Sequence, residues 1–229
     1  MDNIAISTSA FCLWDIGPKR KLDICKDLGF KRVVIAFSTI KMLRTFSSME
    51  ELYPELNHFD EISVLAPWRG VKYGNNKLTH EIIALMNSLT AKTKIDSVVF
   101  NFDCITDFSV FKGCAFKYHI KNPNRASWSD FKSAKEEHDF NTVLDINRAT
   151  RFDSYIDNYI DNFHNEIASV YISGYNELLG RTPIIESNQI PLLDHIKDIK
   201  APLVIEGLFT PGDFDSIRNE IDLIKSVIN

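Results

Sequence analysis

Long apolar runs are missing from this chain. The longest, such as Val33–Phe37 and Val98–Phe100, cover a quarter of a bilayer span or less, which excludes a membrane-spanning helix. The N-terminus carries Asp2 ahead of a strand-like run, not the basic region and long apolar core of a secretory signal. A cationic surplus is missing as well. Lys plus Arg number 26 against 31 Asp plus Glu, for a formal net charge of −5. Without a cationic field a nucleic-acid backbone has nothing to follow, so nucleic-acid binding is set aside. Only 9 Gly and 8 Pro occur, too few for a fibrous or disordered chain. The four cysteines, Cys12, Cys25, Cys104 and Cys114, include no CxxC pair. A chain of this length builds a core without staples, so reduced thiols and a cytoplasmic location are expected.

What is present is alternation. Short β-branched runs read as strands over Ile4–Ser9, Arg32–Phe37, Glu61–Ala66, Ser97–Phe102, Ala115–Ile120, Thr142–Ile146, Ala168–Ser173 and Pro202–Ile205. Amphipathic stretches follow most of them. Pro18–Leu28 carries Pro18 in its first turn and Gly29 just past its end, both helix-boundary signals. Ser47–Leu56 has Ser48 and Glu51 in capping-box spacing. Asn76–Lys92, Ser127–Asp139, Phe152–His164, Ser187–Ile199 and Pro211–Ile228 complete the helical set, and Phe108–Phe111 has room for a single turn. Strands alternating with helices indicate a parallel sheet, and eight such units indicate a (β/α)8 TIM barrel. The runner-up, an open doubly wound sheet, opens on a Gly-rich turn. The turn after the first strand, Ala10–Gly17, has neither GxGxxG nor a P-loop. The eight units use nearly all the residues, so a single domain over 1–229 is expected.

In such a barrel the chemistry lies at the C-terminal ends of the strands. Two of the residues there are acids closing apolar strands: Asp145 in Val143-Leu-Asp-Ile-Asn147, and Glu206 in Leu203-Val-Ile-Glu-Gly207. Lys121 and Asn122 end the fifth strand and Asn101 the fourth, while Tyr171 lies in the seventh. Arg69, Arg125, Arg148 and Arg181 fall in the loops of the same face. Together they make a candidate cationic mouth, because guanidinium forks suit phosphate and carboxylate alike. Trp68, with Phe11 and Tyr175, is a candidate aromatic wall for a sugar face; packing at the barrel rim is the other reading of Trp68.

These segments resemble those of the xylose isomerase-like TIM barrels, which include sugar isomerases, sugar-phosphate epimerases and endonuclease IV. The resemblance runs the length of the chain. It is carried by Phe140-Asn-Thr-Val-Leu-Asp-Ile-Asn-Arg148, Val170-Tyr-Ile-Ser-Gly174, Pro202-Leu-Val-Ile-Glu-Gly207 followed by Asn219-Glu220, and Ile120-Lys-Asn-Pro123. It implies a barrel acting on a small carbohydrate, with a divalent metal held by Glu, Asp, His and Glu from strands five to eight. Only half of that set carries over. Asp145 and Glu206 match, but Lys121 stands for the Glu, Tyr171 for the seventh-strand His, and Arg148 for the His after the sixth-strand Asp. None of the six histidines ends a strand.

An ammonium in place of a ligand carboxylate repels a cation and occupies the remaining acids itself. The expectation is therefore an ion pair of Lys121 with Asp145 and Glu206 in a site with no metal or other cofactor, a divalent metal being disfavoured. Two functions follow. One is an isomerase- or epimerase-type enzyme for a small phosphorylated or acidic carbohydrate, using Asp145, Glu206 and Lys121, the last as electrophile or Schiff-base amine. Trp68, Arg69, Asn101, Asn122, Arg125, Arg148, Tyr171 and Arg181 would contact the ligand. The other is a non-catalytic barrel that binds such a metabolite or has a structural role. DNA cleavage of the endonuclease IV kind is set aside, since its metal cluster needs His and acidic ligands absent here.

Overall fold

The computed structural model describes residues 3–124, 127–150 and 155–228. Eight parallel strands close into a barrel in chain order: β1 (Ile4–Ser7), β2 (Arg32–Ala36), β3 (Glu61–Leu65), β4 (Ser97–Asn101), β5 (Lys117–Lys121), β6 (Asn141–Asp145), β7 (Ile167–Ile172) and β8 (Leu203–Ile205). The expected (β/α)8 architecture is present. No helix among the described residues is long and apolar enough to cross a membrane, and the four cysteines are free thiols.

Side chains alternate across each strand, so every second residue enters the barrel. The interior holds Ala5, Val34, Ala36, Leu65, Val99, Val143, Tyr171 and Val204, with Trp68 packed against them. The opposite face of each strand joins the larger core under the helices, where Ile6, Ile35, Val64, Val98, Ile120, Leu144, Val170 and Ile205 are buried. The interior is lopsided. Ala5 and Ala36 leave space beside β1 and β2, whereas Lys121 and Tyr171 fill the barrel beside β5 and β7.

The helices with clear boundary chemistry form where the sequence places them. α1 (Pro18–Asp27) starts on Pro18. α3 (Lys77–Lys92) starts where Asn76 Oδ1 accepts the Thr79 N–H at 2.9 Å. α4 (Trp128–Glu137) is capped in the same way by Ser127 Oγ on the Asp130 N–H at 3.1 Å. α6 spans Tyr155–Phe163, and the first residues of the expected Phe152–His164 helix lie outside the described residues. α8 is Phe214–Ile228.

Two helices differ from expectation. α2 runs earlier, over Ile40–Ser47, capped by Thr39, so Ser48 closes a helix and starts none. The following Glu50–His58 winds as a 3-10 helix, because Pro54 has no N–H for an α-helical bond and its ring clashes with the preceding turn. The expected Ser187–Ile199 helix is also broken. A single turn, α7 (Ile184–Ser187), stops at Asn188, whose φ of 56° is left-handed, and a 3-10 stretch over Ile190–Ile196 follows with Pro191 in its first turn. A short helix, α5 (Ile146–Ala149), follows β6, with Asp145 Oδ1 accepting the Arg148 N–H at 3.2 Å. The first strand ends two residues early because Ser7 Oγ accepts the Ser9 N–H, turning Thr8–Phe11 into a 3-10 turn.

Glu220 of α8 is fully buried, and its carboxylate accepts the Ile184 and Ile185 N–H groups at 2.7 and 3.0 Å. It caps α7 and ties the segment before it to the last helix. Leaving buried N–H groups without acceptors costs about 1–3 kcal/mol. Glu220→Ala is therefore expected to lower the unfolding free energy by about that amount in urea titrations, with Glu220→Gln recovering part of it. An Ala variant as stable as the parent would show that solvent replaces the cap.

Candidate active site

The inward face of β5 presents Lys117, His119 and Lys121 in steps of two. Lys121, the last, is fully buried. Asp145 ends β6 and Glu206 follows β8, both buried. Lys121 Nζ lies 3.0 Å from Asp145 Oδ2 and 2.7 Å from Glu206 Oε2. The expected ion pair is present. The Tyr171 ring lies beneath, its centroid 3.8 Å from Nζ, a cation–π contact.

Two further cations complete the cluster. Arg148, from α5, sets Nε 3.2 Å from Asp145 Oδ2. Its terminal nitrogens donate to the Asn122 carbonyl at 2.8 Å and Asn101 Oδ1 at 2.7 Å. Arg181 bridges both acids, donating to Asp145 Oδ2 at 2.8 Å and pairing with Glu206 Oε2. Three cations against two carboxylates leave one net positive charge. Asp103 also favours the charged form of Arg148, behind Asp145 and Glu206.

The loop carrying Arg181 is held from below. Asn147 Nδ2 donates to the carbonyls of Gly174 and Gly180 at 2.6 and 3.3 Å. Gly207, next to Glu206, lets the Thr182–Pro183 backbone approach so closely that a Cβ there would lie 2.7 Å from Pro183 N. That approach seats Arg181 beside Glu206.

Charge and burial set the protonation states. Burial lowers the Lys121 ammonium from the usual lysine value to about 8, with Asp145 and Glu206 opposing the shift. Burial also pushes the Asp145 carboxyl up, but Lys121, Arg181 and Arg148 together outweigh it and hold it well below the carboxylate range. Burial, reinforced by Glu206 and Asp145, raises the Tyr171 phenol well above its ordinary value, and its hydroxyl has no hydrogen-bond partner among the described residues. It stays neutral.

Above the cluster is a pocket of about 550 Å3 at the C-terminal mouth, within the size range of small-molecule sites. Its floor is Glu206, Arg148 and Arg181. Lys121, Asp145 and Tyr171 lie beneath that floor and do not line it. Of the other expected ligand contacts, Trp68, Arg69 and Asn101 line the pocket. Asn122 does not. It is buried and clamps the strand end, its Oδ1 accepting the Asp145 N–H at 2.7 Å and its Nδ2 donating to the Asp145 carbonyl at 3.3 Å. Arg125 lies outside the described residues. The aromatic wall reduces to Trp68: Phe11 is buried against Trp14, and Tyr175 is exposed and does not line the pocket.

The strand-end rule missed Lys21 and Asn124, which also line the pocket. Lys21 belongs to α1, not a strand end; the only sequence signal is the basic run Lys19-Arg-Lys21 in its first turns. Its ammonium has no ion-pair or hydrogen-bond partner among the described residues. The same holds for the Arg69 guanidinium.

The family resemblance implies a divalent metal at this place in the barrel. Among the described residues, no group of three or more His, Cys, Asp and Glu side chains converges to hold an ion. The two acids at the equivalent place have their oxygens on Lys121, Arg148 and Arg181. A hard divalent cation needs six or more oxygens, or at least several carboxylate ones. The residues present do not fit it.

No family model matches the chain, and no curated protein matches it. Solved structures do resemble it. D-psicose 3-epimerase with D-tagatose from Clostridium cellulolyticum superposes with a TM-score of 0.68 at 13% identity, over 99% of each chain. The probable 3-DHS dehydratase AsbF involved in petrobactin synthesis, from Bacillus anthracis, gives 0.67 at 12%, again over 99% of each. A xylose isomerase domain protein from Planctomyces limnophilus gives 0.64 at 11%, over 98% of this chain and 96% of that one. Identities this low speak for the backbone arrangement alone, and on that evidence the chain has the xylose isomerase-like (β/α)8 TIM-barrel fold.

Proposed function

We propose that the mouth of the barrel binds a small anionic carbohydrate, a sugar acid or sugar phosphate, and that Lys121 supplies from below the positive charge a metal would otherwise bring. The observation that carries this reading is the surplus of cation over acid. Arg148 and Arg181 form the floor, the buried cluster keeps one net positive charge, and Arg69 and Lys21 stand along the walls without a charge partner among the described residues. An anionic group completes such a site; a neutral sugar does not. The names of the structural neighbours, epimerases of ketohexoses among them, favour a carbohydrate as the body of the ligand.

A second reading keeps turnover, an isomerase or epimerase step with Asp145, Glu206 and Lys121 as acid–base groups. One observation favours it: Lys121 has its pKa near 8, where an amine serves as acid, base or Schiff-base nucleophile. The geometry weighs against it. Asp145 is held far too acidic to abstract a proton from carbon. Arg148 and Arg181 line the pocket whereas Lys121 is fully buried and does not, so the amine does not face a substrate bound there. Binding without turnover is the better-supported function.

Glucuronate and glucose 6-phosphate are expected to raise the melting temperature, and glucose to leave it unchanged. Arg181→Met should abolish the shift. Equal shifts with glucose would remove the anionic ligand from the proposal.

Glucuronate has no group titrating between pH 6 and 10, so it also reads the protein. Below pH 8 the cluster carries its full surplus charge. As pH rises through about 8 Lys121 loses its proton and the surplus falls to zero, so glucuronate affinity should drop there. Lys121→Met should show no such step. A flat profile in the parent protein would disconnect Lys121 from ligand binding.

Chemistry and metal have separate checks. Borohydride added with ribulose at pH 8 is expected to leave the mass of Lys121 unchanged, and inductively coupled plasma analysis of protein purified without chelators to find less than one divalent ion per chain. A reduced adduct on Lys121 would establish the enzymatic reading, and a stoichiometric ion would end the argument that the ammonium takes the metal's place.

A further inference from the structure

A second cavity of about 230 Å3 lies against the outer face of β2, between α1 and α2. Its walls are apolar, formed by Ile16, Pro18, Leu22, Ile35, Phe37 and Phe46. It adjoins the pocket at the mouth, Thr8, Lys21, Ala36 and Met42 lining both. The shared boundary presents little polarity: Thr8 Oγ1 is engaged with the Ala36 N–H at 2.9 Å. The cavity also reaches solvent beside Lys41, Met42 and Thr45.

Lys21 stands at that boundary. It is half-buried, it faces both spaces, and no carboxylate answers it among the described residues. Burial lowers its pKa from the ordinary lysine value, as expected for a cation without a partner. Such a cation, between an apolar cavity and a cationic pocket, matches a ligand with an anionic group next to an apolar one.

We propose that this cavity takes the apolar arm of the ligand bound at the mouth, and that Lys21 meets the anionic group where arm and head join. The ligand class is an amphiphilic carbohydrate conjugate: a polar head, a phosphate or carboxylate linkage, and a hydrocarbon arm of about six to eight carbons. The size follows from the volume, since an apolar cavity of about 150 Å3 holds benzene and this one is half as large again. The proposal rests on the anion-binding reading of the mouth.

The test is a calorimetric series with methyl, butyl and hexyl phosphate at fixed ionic strength. Each methylene entering the cavity should tighten binding about three- to fourfold. Thr45→Trp, which fills the cavity from its exposed rim, should flatten the series and leave methyl phosphate unchanged. Lys21→Met should weaken all three phosphates by a similar factor. Methyl phosphate binding without any gain along the series would overturn the arm cavity and leave the anion site standing. No binding of methyl phosphate at all would overturn the anion site itself. A gain that survives in Thr45→Trp would show that the chain goes elsewhere. Hexan-1-ol binding as tightly as hexyl phosphate would remove Lys21 from the proposal.

Discussion

The site depends on one physical problem: a lysine ammonium fully buried inside the barrel. A buried charge is tolerated only when it is paired and its partners' remaining lone pairs are satisfied. Lys121 meets Asp145 and Glu206, but two buried carboxylates next to one ammonium leave negative charge of their own. Arg148 and Arg181 answer it. Each arginine then needs its own support. Arg148 is oriented by Asn101 and by the carbonyl of Asn122, Arg181 by a loop that Asn147 and the close approach at Gly207 hold in place. Glu220 anchors the segment that follows. Much of the polar architecture at this end of the barrel follows from placing Lys121 at the end of β5. Ion pairs of this kind are weak evidence for stability, since apolar replacements are often as stable. Their presence is better explained by the field they set up at the pocket floor.

The interior packing determines where that field is felt. Lys121 and Tyr171 fill the barrel beside β5 and β7, while Ala5 and Ala36 line the opposite wall. The open space is therefore displaced toward β1 to β3, where Thr8, Ser38, Trp68 and Arg69 are found. The same displacement brings the pocket to the edge of α1 and so to Lys21. The asymmetry links the buried cluster, the pocket and the apolar cavity behind β2 through neighbouring residues.

The barrel was legible because its strands are short β-branched runs, and period-two burial follows from them directly. So was the ion pair, because Lys121, Asp145 and Glu206 all end parallel strands of one barrel. Local backbone chemistry was less legible. The Ser48–Glu51 pattern looks like a cap, but Pro54 blocks the helix it would start, and Thr39 caps an earlier one. Asn122 and Tyr171 were read as ligand contacts from their place at strand ends. A strand-end position does not say whether a side chain reaches the pocket or turns under its floor, and both turn under it. Lys21 was missed for the opposite reason. It reaches the pocket from a helix, and only three-dimensional packing brings that helix to the mouth.

The position of the arginines decides what the cluster can do. A carboxylate serves as a base toward carbon when its pKa is raised toward neutrality; here three cations force Asp145 the other way. A lysine serves as a nucleophile when substrate reaches its nitrogen; here Lys121 is fully buried and does not line the pocket, while Arg181 and Arg148 do. Both features that weaken catalysis strengthen the attraction of an anion, because each adds positive charge facing the pocket. The arrangement that would best hold an anionic ligand is thus the one that would least favour acid–base chemistry on it, which is why the proposed function is binding rather than turnover.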